Sequence, residues 1–484
     1  MSTPNPLTMI DFYKADHRNQ YPDGTELVFT NFTARHARDP LVKFHVNFGL
    51  QPYVKSYLID QWNEGFFNLP KDQVVDAYRR RMTNAGIAIT FEHIEALHDL
   101  GYLPVEIWAL PEGARVPIGV ANLVMWNTHP DFFWLTNYLE TSLSASLWMP
   151  MNSATISDRY RQILDHAAEV SGGAPEFVDW QGHDFSFRGM AGFEAARLSG
   201  AGHLLSFTGT DTVTAIDFLE EFYNANSDEE LVGGSVPATE HSVMCMGSQE
   251  GELETFRRLI TEVYPTGIVS VVSDTWNYWD VWTKHLPALR DEIMGRDGTL
   301  TIRPDSGDPV KIIVGDPAAP VGSPEHKGSV ELAWDLFGGT VNDKGYRQLD
   351  SHINLIYGDS ITLERCAAIV EGLIAKGFVP SIVFGIGSYT YQYNTRDTLG
   401  FAAKATYGEV NGQPRDIFKD PVTDSGIKKS AKGLIAVFEG SNGYEMTFPA
   451  TWDQVKNCAF EPVFRNGELL RDESLSEIRA RLRA

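Results

Sequence analysis

In the second half of the chain, apolar and β-branched runs recur, and each stops abruptly on polar residues or glycine. The runs are HDFSFRG (183–189), HLLSFTGTD (203–211), IVSVVSD (268–274), LTIRPDSG (300–307), INLIYGD (353–359) and SIVFGIGS (381–388). Near-continuous apolarity describes strands buried on both faces, the pattern of a parallel sheet rather than of a half-exposed antiparallel one. Helical periodicity follows at 275–285 and again at 360–376, where Asp359 or Ser360 is the natural N-cap. Six such units within about 210 residues predict a (β/α) barrel better than an open sheet. No GxGxxG fingerprint follows any of these strands, which argues against a dinucleotide fold.

The first half patterns differently. Helical stretches at 52–63, 71–84 and 91–100 alternate with short strands, and LPVEIWAL and ARVPIGVANLVMW are separated by Pro-Glu-Gly, a hairpin signal. Between 132 and 151, Leu135, Leu139, Leu143 and Leu147 form one helical stripe and the stretch also carries Asn137 and Glu140, so it reads as a core helix or a subunit contact rather than a membrane span. A second amphipathic helix is expected over 153–171, ended by Ser171-Gly172-Gly173. After the last barrel run come a basic loop, two short strands (LIAVFEG and YEMTFPA) and a terminal helix. The expected organisation is a β-rich α+β region over 1–150, a barrel over 151–390, and a basic loop with a β-rich region over 391–484 that joins the N-terminal domain.

The strands of such a barrel all deliver their C-terminal ends to one face. That would gather Phe185, Arg188, Asp211, Asp274, Arg303, Asp305, Asp359 and Gly387 around a common cavity. Arg303 and Asp305, two residues apart on extended backbone, point the same way. A guanidinium fork suits phosphate, and a carboxylate suits a ribose hydroxyl or a metal ion, so the pair reads as half of a sugar-phosphate site.

Composition narrows the ligand. The 484 residues carry a net charge of −24, which speaks against a nucleic-acid partner and for a small anion met locally. The stretch 396–432 holds seven Lys/Arg against five acids, a local excess of +2 that could draw phosphates in. Three scattered cysteines form neither a disulfide framework nor a metal pattern, and residues 1–20 contain no apolar signal core, so the expected location is the cytoplasm.

Ten motifs in order, DFYKADHRNQYP (11–22), FTARHAR (32–38), HDFSFRG (183–189), FTGTDT (207–212), VPATEHS (236–242), SVVSDTW (270–276), IRPDSGDP (302–309), YGDSI (357–361), FGIGSYTYQYNTRDT (384–398) and FKDP (418–421), resemble the nicotinamide phosphoribosyltransferases. These are type II phosphoribosyltransferases. The resemblance implies an irregular (β/α) barrel with an added β-rich α+β domain, working as a homodimer with shared active sites. It implies transfer of phosphoribosyl from phosphoribosyl pyrophosphate to nicotinamide, with Mg2+, and with ATP as co-substrate through a phosphohistidine.

Carried over by motif, Phe185 would stack on the pyridine ring, with Tyr13 of a partner subunit on its other face, and Asp211 would accept from the carboxamide. Arg188 and Arg303 would clamp phosphates; Asp305, Gly358 and Asp359 would hold the ribose. Arg396 with Gly387 and Ser388 would take the 5′-phosphate. His241 would carry the phosphoryl group, oriented by Asp274, and Lys404, Lys419 and Lys428, together with Arg35 of the neighbouring subunit, would serve the ATP and pyrophosphate phosphates. Three departures stand out from the family pattern: Ala402 replaces a serine, IGSYTYQY replaces a glycine-rich run, and a longer loop leaves Lys428 and Lys429 interchangeable in register. A nicotinate phosphoribosyltransferase is the near alternative, with Asp211 as the discriminating residue. A barrel glycoside hydrolase drawing its carboxylates from Asp274, Asp305 and Asp359, or a non-catalytic binding protein on the same fold, are the distant ones.

Overall fold

The computed structural model describes residues 3–358, 360–419, 431–441 and 443–484. They fall into two units, one of Met1–Thr155, Phe218–Ala225 and Asn394–Ala484, the other of Ile156–Asp217 and Asn226–Tyr393.

The first unit is built on a seven-stranded sheet in the order Gln413–Asp416, Phe401–Val410, Thr25–Ala34, Ala121–Asn127, Val105–Ala109, Glu461–Arg465, Glu468–Leu469. Every pairing in it is antiparallel. Alternation sends successive side chains to opposite faces. Val28 and Phe32 enter one apolar cluster while Phe29, between them, enters another. Both faces of the central strands are therefore covered, which is why TELVFTNFTA is buried almost throughout. Phe29 also sits opposite Trp126 on the neighbouring strand, the two rings stacked at 5.9 Å, a cross-strand pair that helps fix the register.

Two expectations for this half need correction. The segment 115–126 is two strands rather than one. Ala121–Asn127 pairs with Val105–Ala109 as the hairpin reading requires, but Arg115–Pro117 pairs with Phe44–Val46. The chain turns between them at Gly119, whose φ of 96° only glycine adopts readily. Second, the helices expected on either side of residue 152 are one, Glu140–Ser171, with Pro150 inside it. Leu139, Leu143, Leu147 and Met151 carry a continuous buried stripe past the proline, and that burial outweighs the lost backbone bond. Among the described residues no helix is long and apolar enough to cross a membrane.

The second unit contains the parallel sheet. Its strand order is Gly209–Thr210, Gly182–Asp184, Val383–Ile386, Ile353–Tyr357, Leu300–Arg303, Val269–Val272, with every pairing parallel. The apolar runs fill a shared core in which Val269, Val271, Leu300, Ile302 and Leu355 are fully buried. The two edge strands do not remain open. Gly234 bridges Gly209 and Ala238 bridges Ser270, with Thr210 N–H donating to Gly234 C=O at 2.9 Å and Thr239 N–H to Ser270 C=O at 2.9 Å. The segment 234–239 thus runs beside both edges and completes an irregular (β/α) barrel. Sequence patterning does not mark it as a strand.

The helix expected over 360–376 spans Leu363–Ala375 and is capped by Thr362, whose hydroxyl accepts from the Arg365 N–H. Ser360 cannot be the cap, because its φ of 58° is left-handed whereas an N-cap is extended; Asp359 lies outside the described residues. The helix expected from 275 begins at Tyr278, capped by the Asn277 side chain.

Candidate active site

Parallel strands put all their C-terminal ends on one rim, so residues remote in sequence become neighbours. Phe185, Arg188, Asp211, His241, Arg303, Asp305, Gly358, Gly387 and Ser388 line a single cavity of about 960 Å3 in the second unit. All nine were singled out in the sequence. Asp274 belongs to the same constellation from behind the wall, with only 5% of its side chain exposed.

His241 opens a short helix, His241–Met246, directly after the segment that completes the barrel. Its Nε2 lies 3.1 Å from Asp274 Oδ1. The second oxygen of Asp274 is also used: Oδ2 accepts from the Asp305 N–H at 3.0 Å and from the Ser306 hydroxyl at 2.5 Å. With both oxygens held, Asp274 can orient the imidazole but is poorly placed as an independent acid or nucleophile. Ser306 went unremarked in the sequence, where it reads only as part of a turn.

Arg303 ends its strand with its guanidinium Nη2 donating to the Thr239 carbonyl and its Nε 3.8 Å from Asp305 Oδ1. The head is mostly sheltered, so its charge acts in a medium where it counts for more than in water. Gly358 and Gly189 make close approaches possible. A Cβ on Gly358 would lie 1.9 Å from Asp305 Oδ1, and one on Gly189 would lie 2.0 Å from Ser388 Oγ. The wall thus offers a guanidinium, a carboxylate and closely packed loop backbone to a phosphorylated sugar.

A smaller chamber of about 230 Å3 adjoins the cavity, lined largely by apolar side chains such as Phe177, Trp180, Val236 and Ile356. Phe185, Asp211 and Arg303 line both spaces, so they mark the junction. Asp211 Oδ1 is 2.8 Å from His183 Nε2 and accepts from Ser235 Oγ at 2.7 Å. Burial pushes the Asp211 carboxyl upward, but the hydrogen bond and charge of His183, the Ser235 hydroxyl and the Arg303 charge outweigh it and hold the group below the usual aspartate range. The junction therefore presents an aromatic face beside an ionised carboxylate, a combination suited to a flat ring that carries a hydrogen-bond donor. His183 and Ser235 were missed as site residues; their partners are set by the barrel, not by spacing.

Five further candidates belong to the first unit. Tyr13 stands on the turn Phe12–Asp16, its ring 60% exposed. Arg35 follows the strand Thr25–Ala34, its Nε donating to the Gly400 carbonyl at 3.2 Å. Arg396 is paired with Asp397 at 3.2 Å. The charges felt by Lys404 are those of Glu140, Arg35, Lys14 and Lys419, a cationic group around one acid. Asp359 and Lys428 lie outside the described residues.

Residues 180–468 match the model of the nicotinate phosphoribosyltransferase (NAPRTase) family. The chain is 55% identical to a nicotinamide phosphoribosyltransferase of Acinetobacter baylyi over 99% of its own length and 97% of that protein's. It is 32% identical to one of Xanthomonas campestris pv. campestris, covering 98% and 97%. In fold it is similar to nicotinate-nucleotide pyrophosphorylase from Pyrococcus furiosus, with a TM-score of 0.58, 16% identity and 99% and 95% of the two chains covered. Human nicotinic acid phosphoribosyltransferase gives a TM-score of 0.54 at 18% identity, with 98% and 92% covered.

Proposed function

Because the chain belongs to the nicotinate phosphoribosyltransferase family, we propose that it transfers the phosphoribosyl group of phosphoribosyl pyrophosphate to nicotinamide, forming nicotinamide mononucleotide and pyrophosphate in NAD salvage. The observation that carries the choice of base is the ionised Asp211 beside Phe185. A carboxamide NH2 donates to that carboxylate, whereas the carboxylate of nicotinate would meet a like charge.

In the reaction the bond from the anomeric carbon to the pyrophosphate oxygen breaks, its electron pair leaving with pyrophosphate, and the pyridine nitrogen forms the new bond to that carbon. The ring nitrogen carries no proton, so no general base is required. The chain has to hold the ring at the anomeric carbon, hold the leaving group, and tolerate positive charge on the sugar. Phe185 and Asp211 fix the ring. Arg303 and Arg188 face the phosphates, and Asp305 faces the ribose, where its charge also favours an oxocarbenium-like sugar. Among the described residues no group of three or more His, Cys, Asp or Glu could hold a metal ion. A magnesium ion would be held by Asp305 together with the substrate's own phosphate oxygens, and would neutralise charge on the leaving group.

His241 is assigned the coupling to ATP. Its Nε2 faces Asp274, so Nδ1 is the nitrogen open to a phosphoryl group, and Asp274 stabilises the charge that develops on the ring. Lys404, Lys419, Lys428 and Arg35 are assigned to the phosphates of ATP and pyrophosphate, and Arg396 with Gly387 and Ser388 to the 5′-phosphate. We assign Tyr13 and Arg35 to the site of a second copy in a homodimer; the exposure of Phe12 (56%) and Tyr13 (60%) on a short turn supports this. Three free cysteines are consistent with a cytoplasmic setting.

The test is product identity. Phosphoribosyl pyrophosphate and nicotinamide incubated with the purified chain should yield nicotinamide mononucleotide by chromatography and mass. Absence of that product from folded protein would refute the reading.

A further inference from the structure

We propose that His183 and Ser235, by converging on a single oxygen of Asp211, set how strongly the site prefers an amide base over the corresponding acid; the inference rests on the reading that Asp211 receives the base. A carboxylate has two equivalent oxygens and rotates freely unless something holds it. Here both hydrogen bonds made to it by described residues end on Oδ1, at 2.8 Å from His183 Nε2 and 2.7 Å from Ser235 Oγ. That fixes the carboxylate plane and leaves Oδ2 to face a ligand.

Each donor is itself defined. An ionised carboxylate only accepts, so His183 must carry its proton on Nε2 and Ser235 must turn its hydrogen toward Asp211. The imidazole has little room to move. It lies 4.5 Å from the Phe185 ring at a tilt of 35°, and a Cβ on Gly209 would lie 2.8 Å from its Nδ1. Only 8% of the His183 side chain is exposed, against 46% of Asp211. One histidine therefore touches both groups that meet the base, the aromatic face and the carboxylate.

The consequence concerns selectivity more than catalysis. An ionised, immobile carboxylate accepts from a carboxamide and repels an acid. Stripped of its donors, the same carboxyl can rotate away, and it can take up a proton and then donate to the acid. The second route converts a repelling group into an attracting one. Loss of His183 or Ser235 should thus lower the preference ratio, whereas a role confined to holding the fold would lower both rates together.

The experiment measures kcat/KM for nicotinamide and for nicotinate on the full-length chain as wild type, Ser235→Ala, His183→Leu and His183→Gln, with a melting curve for each. The amide-to-acid ratio is expected to fall about tenfold in Ser235→Ala and further in His183→Leu, as for loss of a hydrogen bond to a charged group. It should recover substantially in His183→Gln, whose amide N–H can replace Nε2–H. A ratio within twofold of wild type in the variants that fold, or equal losses with both bases, would overturn the proposal. Ser235→Ala decides alone if His183→Leu does not fold. Failure of the wild type itself to use nicotinamide would overturn the parent reading instead, and this inference with it.

Discussion

His241 and Asp274 face each other at 3.1 Å, and the carboxylate is the buried partner: 5% of its side chain is exposed against 49% of the histidine's. Thirty-three residues separate them, yet the barrel makes them adjacent because His241 follows the segment bridged to Ser270 and Asp274 follows the strand that contains Ser270. An anchored acid behind an exposed imidazole orients the ring and stabilises charge on it, which is what a phosphorylated histidine requires.

Incubation with ATP labelled in the γ-phosphate should therefore place an acid-labile, base-stable phosphate on the wild type and none on His241→Ala. Asp274→Asn should retain the histidine but label at least tenfold more slowly, since an uncharged neighbour supports the developing imidazolium less well. Equal labelling of His241→Ala, read by scintillation counting of the intact protein, would exclude the assignment.

Asp211→Ser removes the charge that repels nicotinate while leaving a small polar group. The ratio of kcat/KM for nicotinamide over nicotinate should fall by about 10- to 100-fold, the range expected for a hydrogen bond to a charged acceptor. Steady-state rates with the two bases check this directly, and an unchanged ratio would remove Asp211 from base recognition.

Gly358→Ala should cost activity out of proportion to its size. The added methyl would lie 1.9 Å from Asp305 Oδ1, so the carboxylate has to move. A displacement near 1 Å in a positioning group can cost up to about 100-fold in rate. The expected result is at least a tenfold loss of kcat/KM with a nearly unchanged melting temperature.

Stability should depend on pH through Glu112 in the first unit. It is fully buried, accepts from Gly49 N–H, Gln51 N–H and Tyr223 O–H, and lies beside Glu473. Burial first, and the Glu473 charge second, raise its carboxyl from 4.5 to about 7, with the three donors opposing. A raised carboxyl keeps its proton longer when folded than when unfolded. Its contribution is therefore fully present below pH 4.5 and is lost as the pH climbs to about 7, a change on the order of 3 kcal/mol. Burial also disfavours the charged forms of His45 and His93, which adds stability as the pH rises toward 6.5. The Glu112 effect is therefore read as a difference: melting curves between pH 5 and 8 should show the wild type losing stability relative to Glu112→Gln as the pH rises.

Much of the barrel was legible because a strand buried on both faces has little choice but to be apolar and to stop at a polar turn. Phe185, Arg188, Asp211, Arg303, Asp305 and Gly387 followed, since parallel strands share one rim, whereas His241, Gly358 and Ser388 came only with the motif resemblance. What could not be read was decided by tertiary contact. The segment 234–239 joins the barrel through isolated bridges and contains a glycine and a proline, so no periodicity announces it. The sequence reading divides the long helix at residue 152, yet Glu140–Ser171 is continuous and its buried stripe runs through Pro150. His183 and Ser306 gain their roles from partners 28 and 32 residues away, and spacing alone names neither.

The most direct measurement is the initial rate of pyrophosphate release from phosphoribosyl pyrophosphate by the purified full-length chain, with nicotinamide or nicotinate as the base and with or without ATP. Rapid release with nicotinamide, much slower release with nicotinate, and stimulation of the nicotinamide rate by ATP are the predicted results. Release only with nicotinate, or none with either base from correctly folded protein, would contradict the account.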